Sequence, residues 1–133
     1  MSKGGYVDGF VIPIPRKNLA TYRKMAEWGK RAWMRHGALA YFECVGDDMK
    51  AMECPGADGK MMRMSMPFPD MARAKKGETV MFSFIVFKSK AHRNAVNRSV
   101  MREMMKDPKN KDMKMPFNPK RMAYGGFRAI VKA

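Results

Sequence analysis

The longest apolar pattern in the chain runs over residues 79–87, β-branched and aromatic with Ser83 as its single polar interruption. Successive side chains of a strand point to opposite sides, so this run places Met81, Ile85 and Phe87 on one face and Val80, Phe82, Phe84 and Val86 on the other. Both faces are apolar, and both need cover. One short turn leads from this strand into a cationic amphipathic helix that extends to about Met105. Upstream, residues 6–14 form a strand with apolar content on both faces and one charged member, Asp8, ended by Pro13 and Pro15. Leu19, Tyr22, Ala26, Gly29, Trp33 and His36 then follow a helical stripe that stops at Gly37. This predicts a helix over 18–36, capped by Asn18 or a neighbour. Residues 39–45 give a second strand, and Gly46, Asp47 and Asp48 break it.

The stretch 49–78 is punctuated by Pro55, Gly56, Gly59, Pro67 and Pro69 and predicts a methionine-rich loop with one short strand. In it Met62, Met64 and Met66 alternate as an edge strand or extended arm would. A second breaker-rich connection covers 107–119, and 122–131 makes a final strand. Its Gly125 and Gly126 permit a bulge or the close approach of another backbone or ligand. The order is βαββαβ, the ferredoxin-like α+β arrangement of an antiparallel sheet with both helices on one face, in one domain over 1–133. Helices cover one face of such a sheet. A partner subunit is the economical cover for the other, so a homodimer is expected.

Composition narrows the classes. With 133 residues, 46% hydrophobic and 29% charged, the chain is globular. It has no apolar run of the roughly 18 residues that a membrane helix needs, and its start lacks a cationic segment followed by an apolar helix. No membrane association and a cytoplasmic location are expected. Cys44 and Cys54 form no CxxC pair, which favours free thiols and leaves a single disulfide open. The net charge of +15 raises nonspecific nucleic-acid binding as an alternative function. The cations are dispersed, however, and no base-reading motif accompanies them.

Candidate chemistry is sparse. Asp8, Glu43, Asp47 and Asp48 are the carboxylates nearest the sheet, and a general base beside an apolar pocket gains basicity from burial. Asp47 and Asp48 suit a turn. Asp8, inside an apolar strand, requires a partner and is either an ion pair with a helix arginine such as Arg93 or an acid or base. His36 suits the end of its helix and His92 faces solvent. Met52, Met61, Met62, Met64 and Met66, with Cys54, are soft donors of the kind that hold Cu(I). Methionine recurs at Met101, Met104, Met105, Met113, Met115 and Met122, however, where adaptable core filling explains it. Neither a metal nor a cofactor is therefore expected. Ser83, Asn97 and Tyr124 are polar groups able to orient a ligand or to sit satisfied in the core.

The segments YVDGFVIPIPRKNL, HGALAYFECVGDD, the Phe68 and Pro69 pair, GETVMFSFIVFKSKAHRNAVNRSVM and MPFNPKRMAYGGF resemble, in this order, the YbaA-like family of uncharacterised bacterial proteins, domain of unknown function 1428. The resemblance implies a ferredoxin-like subunit that pairs its sheet with a second copy's, the dimeric α+β barrel. That architecture hosts cofactor-free monooxygenases, haem-degrading enzymes and ligand-sensing domains, so it implies a pocket without choosing a reaction. Asn94 and Asn118 stand where the family pattern commonly has acids, and Phe84 where it has tryptophan. The expected site is one pocket per subunit between sheet and helices for a small anionic or aromatic molecule. Asp8 would be its acid or base, Arg93 and Asn97 would orient the ligand, and Ser83 and Tyr124 would line the pocket.

Overall fold

A computed structural model describes residues 4–110 and 114–133. In chain order the elements are β1 (Tyr6–Pro15), α1 (Leu19–Arg35), β2 (Ala40–Val45), β3 (Glu53–Pro55), β4 (Met61–Arg63), α2 (Phe68–Ala72), β5 (Glu78–Phe87), α3 (Lys90–Lys106) and β6 (Ala123–Arg128). Four of the strands make one antiparallel sheet in the order β2, β5, β1, β6. The strand that carries the strongest apolar pattern is central. It pairs along its whole length with β1, from Tyr6 opposite Phe87 to Pro15 opposite Glu78.

The pleat separates two faces of different fate. Tyr6, Ile12 and Ile14 of β1 and Met81, Ile85 and Phe87 of β5 are buried against Tyr22, Ala26 and Ala32 of α1 and Val96 and Val100 of α3. Both long helices thus lie on this face, where burial of apolar surface supplies the main driving force. On the opposite face Phe42 and Phe82 are exposed and Phe84 is half-buried. The short helix α2 reaches it, with Phe68 standing edge-on to Phe82.

Local chemistry departs from the expected caps. Asn18 makes no cap bond with its side chain; its amide donates to the Pro116 carbonyl at 2.8 Å, and a 3-10 turn over Arg16–Asn18 leads into α1. Ser89 caps α3, its hydroxyl accepting from the His92 amide at 3.1 Å. His92 is not simply solvent-facing. Its Nδ1 accepts from the Lys88 amide at 2.9 Å and its ring stands edge-on to Phe87.

The stretch 49–78 holds more structure than one short strand. β3 and β4 form a hairpin with Cys54 opposite Met62, and Pro67 and Pro69 introduce α2 where they were expected only to break the chain. A first helical turn tolerates proline because its amides have no intrahelical acceptor. The methionines here are not core filling, since Met52, Met61, Met62, Met64 and Met66 are all at least half exposed. Met101, Met105 and Met115 are also exposed, Met104 and Met122 are half-buried, and Met113 lies outside the described residues. In β6 the pairing with β1 continues through Gly125 and Gly126 without a bulge.

An ion pair ties the start of β5 to the turn before β6. Arg121 donates to both carboxylate oxygens of Glu78, at 2.8 and 2.9 Å, and to the Arg73 carbonyl at 2.8 Å. The Arg121 guanidinium holds the Glu78 carboxyl down at about 2, from an ordinary value of 4.5. A depressed value in the folded state gives stability that is complete above pH 4.5 and lost as pH falls toward 2. Glu78→Gln is therefore expected to cost about 1 kcal/mol at neutral pH, after allowance for solvent screening. The deficit should disappear at the acid end of the range, and a set of urea curves across pH measures it. A deficit independent of pH would mean that packing, not the ion pair, is what was lost.

Candidate functional site

Two polar constellations interrupt the apolar face beneath the helices. The first gathers around Glu43 on β2. Residues 41 and 43 share this face by the strand's period of two, and Ser83 is the β5 residue directly opposite Glu43. The Glu43 Oε2 accepts from the Tyr22 hydroxyl at 2.5 Å and from the Ser83 hydroxyl at 2.8 Å, while Oε1 accepts from the Tyr41 hydroxyl at 3.1 Å. Gly29 of α1 admits Tyr41 to this position, since a Cβ there would stand 2.6 Å from the Tyr41 oxygen. Burial, followed by the interaction with Glu43, pushes both phenols above their ordinary range. Tyr22 and Tyr41 are thus held as neutral donors, and Glu43 is the common acceptor.

This cluster forms the polar end of a cavity of about 290 Å³ between sheet and helices. Its other walls are largely aromatic and sulfur-bearing, among them Phe10, Trp28, Trp33, Met25, Met104 and Phe117. A second cleft, of about 470 Å³, meets the same Tyr22, Tyr41 and Glu43 from the side of Arg23, Glu27 and Lys30. Glu43 therefore faces an apolar chamber on one side and a charged cleft on the other. A few convergent polar groups in an otherwise apolar pocket are the usual make-up of a small-molecule site.

The second constellation surrounds Asp8, which is 1% exposed. Arg93 of α3 brings its Nε to 3.4 Å from Asp8 Oδ1 and donates from Nη2 to the Tyr6 hydroxyl at 2.8 Å, its guanidinium lying over the Tyr6 ring. Gly126, opposite Asp8 on β6, leaves the room, because a Cβ there would stand 2.8 Å from Arg93 Nη2. Burial raises the Asp8 carboxyl above its ordinary value, with Arg93, Asn97 and Tyr124 opposing that shift in decreasing order. Asn97 also accepts from the Trp33 indole at 3.0 Å, and Tyr124 packs on Phe10 at 5.0 Å between ring centres. Trp33 and Phe10 both line the cavity, so this network stands directly behind its wall.

Of the five residues singled out in the sequence, Asp8, Arg93, Asn97 and Tyr124 come together, while Ser83 belongs to the Glu43 cluster. Ser83 alone of the five lines the cavity. Among the described residues no three His, Cys, Asp or Glu side chains gather to hold a metal ion. The sequence named Glu43 only as one carboxylate near the sheet and gave Tyr22 and Tyr41 no role. Their one advance signal was the spacing of Tyr41 and Glu43, which puts a phenol and a carboxylate on the same face.

A family model described as "Protein of unknown function (DUF1428)" matches residues 5–119. The chain belongs to the DUF1428 family. It is similar to "Uncharacterized protein YbaA" of Escherichia coli (strain K12) and to the protein of the same name in Shigella flexneri. Each is 38% identical over 128 residues, spanning 95% of this chain and 97% of the relative. The region of the DUF1428 match contains Glu43, Tyr22, Tyr41, Ser83, Asp8, Arg93 and Asn97, whereas Tyr124 and Gly126 follow it. Among the described residues of this DUF1428 chain no helix is long and apolar enough to cross a membrane.

Proposed function

We propose that this chain binds a small, mainly apolar or aromatic molecule in the cavity between sheet and helices and presents Glu43 to it as hydrogen-bond acceptor and proton acceptor. The observation that carries this is one carboxylate receiving three hydroxyl donors at the end of an apolar chamber. A carboxylate and two neutral phenols suit a ligand that offers a hydroxyl or N–H group better than one that is an anion. Glu43 thereby takes the acid or base role first given to Asp8, whose charge Arg93 already answers. Asp8, Arg93, Asn97 and Tyr124 hold the Trp33 and Phe10 wall in place. In this proposal the chemistry needs no cofactor.

The strand order β2, β5, β1, β6, with both long helices on one face, supports a ferredoxin-like subunit. The exposed aromatic face supports pairing with a second copy, sheet to sheet, as in a dimeric α+β barrel. A second reading, nonspecific attraction of nucleic acid, rests on the net charge of +15 and on the exposed Arg98 and Arg102 of α3. It predicts a steep loss of binding with salt.

Trp28 and Trp33 in the wall provide the readout for the cavity. In a fluorescence screen of small phenols and aromatic amides, a binder is expected to quench the wild type and to bind Glu43→Gln about tenfold more weakly. Equal binding by both proteins, or ligands that leave tryptophan emission unchanged, would count against this site.

A further inference from the structure

The β3–β4 hairpin sorts its side chains by chemistry. Cys54 lies opposite Met62, and the Met64 amide donates to the Met52 carbonyl at 2.7 Å, which extends the same ladder by one hydrogen-bonded pair. Positions two apart along a strand share a face, as do residues directly opposite on paired strands. Met52, Cys54, Met62 and Met64 therefore occupy one face, with a thiol and three thioethers within the span of two cross-strand pairs. The other face carries Glu53 opposite Arg63, and Arg63 reaches Asp70 of α2 at 3.0 Å. The charged face is thus tied to the body of the protein.

Core packing does not account for the sulfur face. Met52, Met62 and Met64 are 64%, 50% and 56% exposed, and neither cysteine is in a disulfide. Methionine is also not a residue that strands prefer, so β propensity does not account for three of them here. What distinguishes this face from any other apolar patch is sulfur at all four positions. No imidazole lies on the hairpin, since His36 ends α1 and His92 belongs to α3.

We infer that this face is a Cu(I) site in which the Cys54 thiolate and the thioethers of Met52, Met62 and Met64 are the ligands. Three thioethers beside one thiolate select Cu(I), because zinc shares the preference for thiolate but takes its other ligands from thiolate, imidazole and carboxylate and not from thioether. Binding forms a Cu–S bond at Cys54 and releases the thiol proton to solvent, and the copper stays in its reduced state. Directly opposed strand residues have Cβ atoms about 5 Å apart, and methionine has three rotatable bonds, so its sulfur can swing onto an ion held at Cys54. Met62 lies against Gly56, next along the same face, so its sulfur would have to turn from that glycine to reach an ion held at Cys54.

The test is an anaerobic Cu(I) titration of the full chain against a chromogenic Cu(I) chelator, kept reduced by a thiol-free reductant. The expected result is one Cu(I) per chain, unaffected by Zn(II) or by Cys44→Ser. Cys54→Ser and the triple variant M52L/M62L/M64L should each bind about a hundredfold more weakly or worse, while M101L/M105L behaves as wild type. Circular dichroism of the triple variant checks that the fold is retained, which exposed positions should permit. Competition by the triple variant within about threefold of wild type would overturn the site, because a lone thiol would then account for the binding. A loss produced by Cys44→Ser, or by M101L/M105L, would overturn it as well by placing the copper elsewhere.

Discussion

Arg93→Ala is expected to destabilise the fold by about 3 kcal/mol at neutral pH, and by progressively less as the medium is made acidic. The substitution leaves Asp8 buried without its counter-charge, removes the donor to the Tyr6 hydroxyl and empties the space over Gly126. The pH sense follows from burial. Asp8 already titrates above its ordinary 3.8, and loss of Arg93 removes the largest influence that opposes the shift. A carboxyl whose folded value exceeds its unfolded value favours the fold while protonated in both states, and it costs stability as pH rises through the folded value. Arg93→Ala should therefore approach wild-type stability near pH 3.8 and fall away above it. Asp8→Asn in the same background should recover at least half of the loss, since a neutral amide escapes most of the charge penalty. Urea unfolding of the three proteins at acidic and neutral pH measures this. A deficit that is flat with pH, with no rescue by Asn, would mean that Arg93 matters only for its packing.

The ion pair and the apolar strand that organises the sheet were both legible in the sequence, for the same physical reason. Residues 79–87 carry a local pattern that any partner must respect, and a charge at position 8 in such company has few ways to be satisfied. The Glu43 cluster was not legible, because Tyr22, Tyr41 and Ser83 come from three different elements and meet only after α1 has packed across β2 and β5. Of its members Ser83 stood out as the one polar residue in an apolar run, and Glu43 only as one of several carboxylates near the sheet. The prolines before α2 misled in the opposite direction, since the same residue that breaks a helix interior opens its first turn. Methionine misled as well, since its flexibility suits a core and yet Met101, Met105 and Met115 are exposed.

Phe84→Glu is expected to convert the proposed sheet-to-sheet dimer into monomers, weakening association by a thousandfold or more, about 4 kcal/mol. Phe84 lies mid-sheet on the face opposite the long helices. It stacks on Phe42 with ring centres 4.9 Å apart and meets Phe82 at 5.9 Å. On its other side Gly9 and Gly125 carry no side chains, and the Phe127 ring lies against both. The result is a continuous aromatic strip from Phe127 to Phe42, with Phe42 and Phe127 more than half exposed. Contiguous apolar surface of this kind marks an interaction site, and an isologous pairing buries the same residue twice. One substitution thus places two unpaired carboxylates in the interface. Charge offers a second signature. Each subunit brings +15, so added salt screens repulsion and should strengthen dimerisation, whereas it weakens attraction to nucleic acid. Sedimentation velocity of wild type and Phe84→Glu at low and high salt reads both effects, and circular dichroism checks that the variant folds. A wild type that is monomeric at every salt concentration, or a Phe84→Glu protein that remains dimeric, would remove this face as the interface.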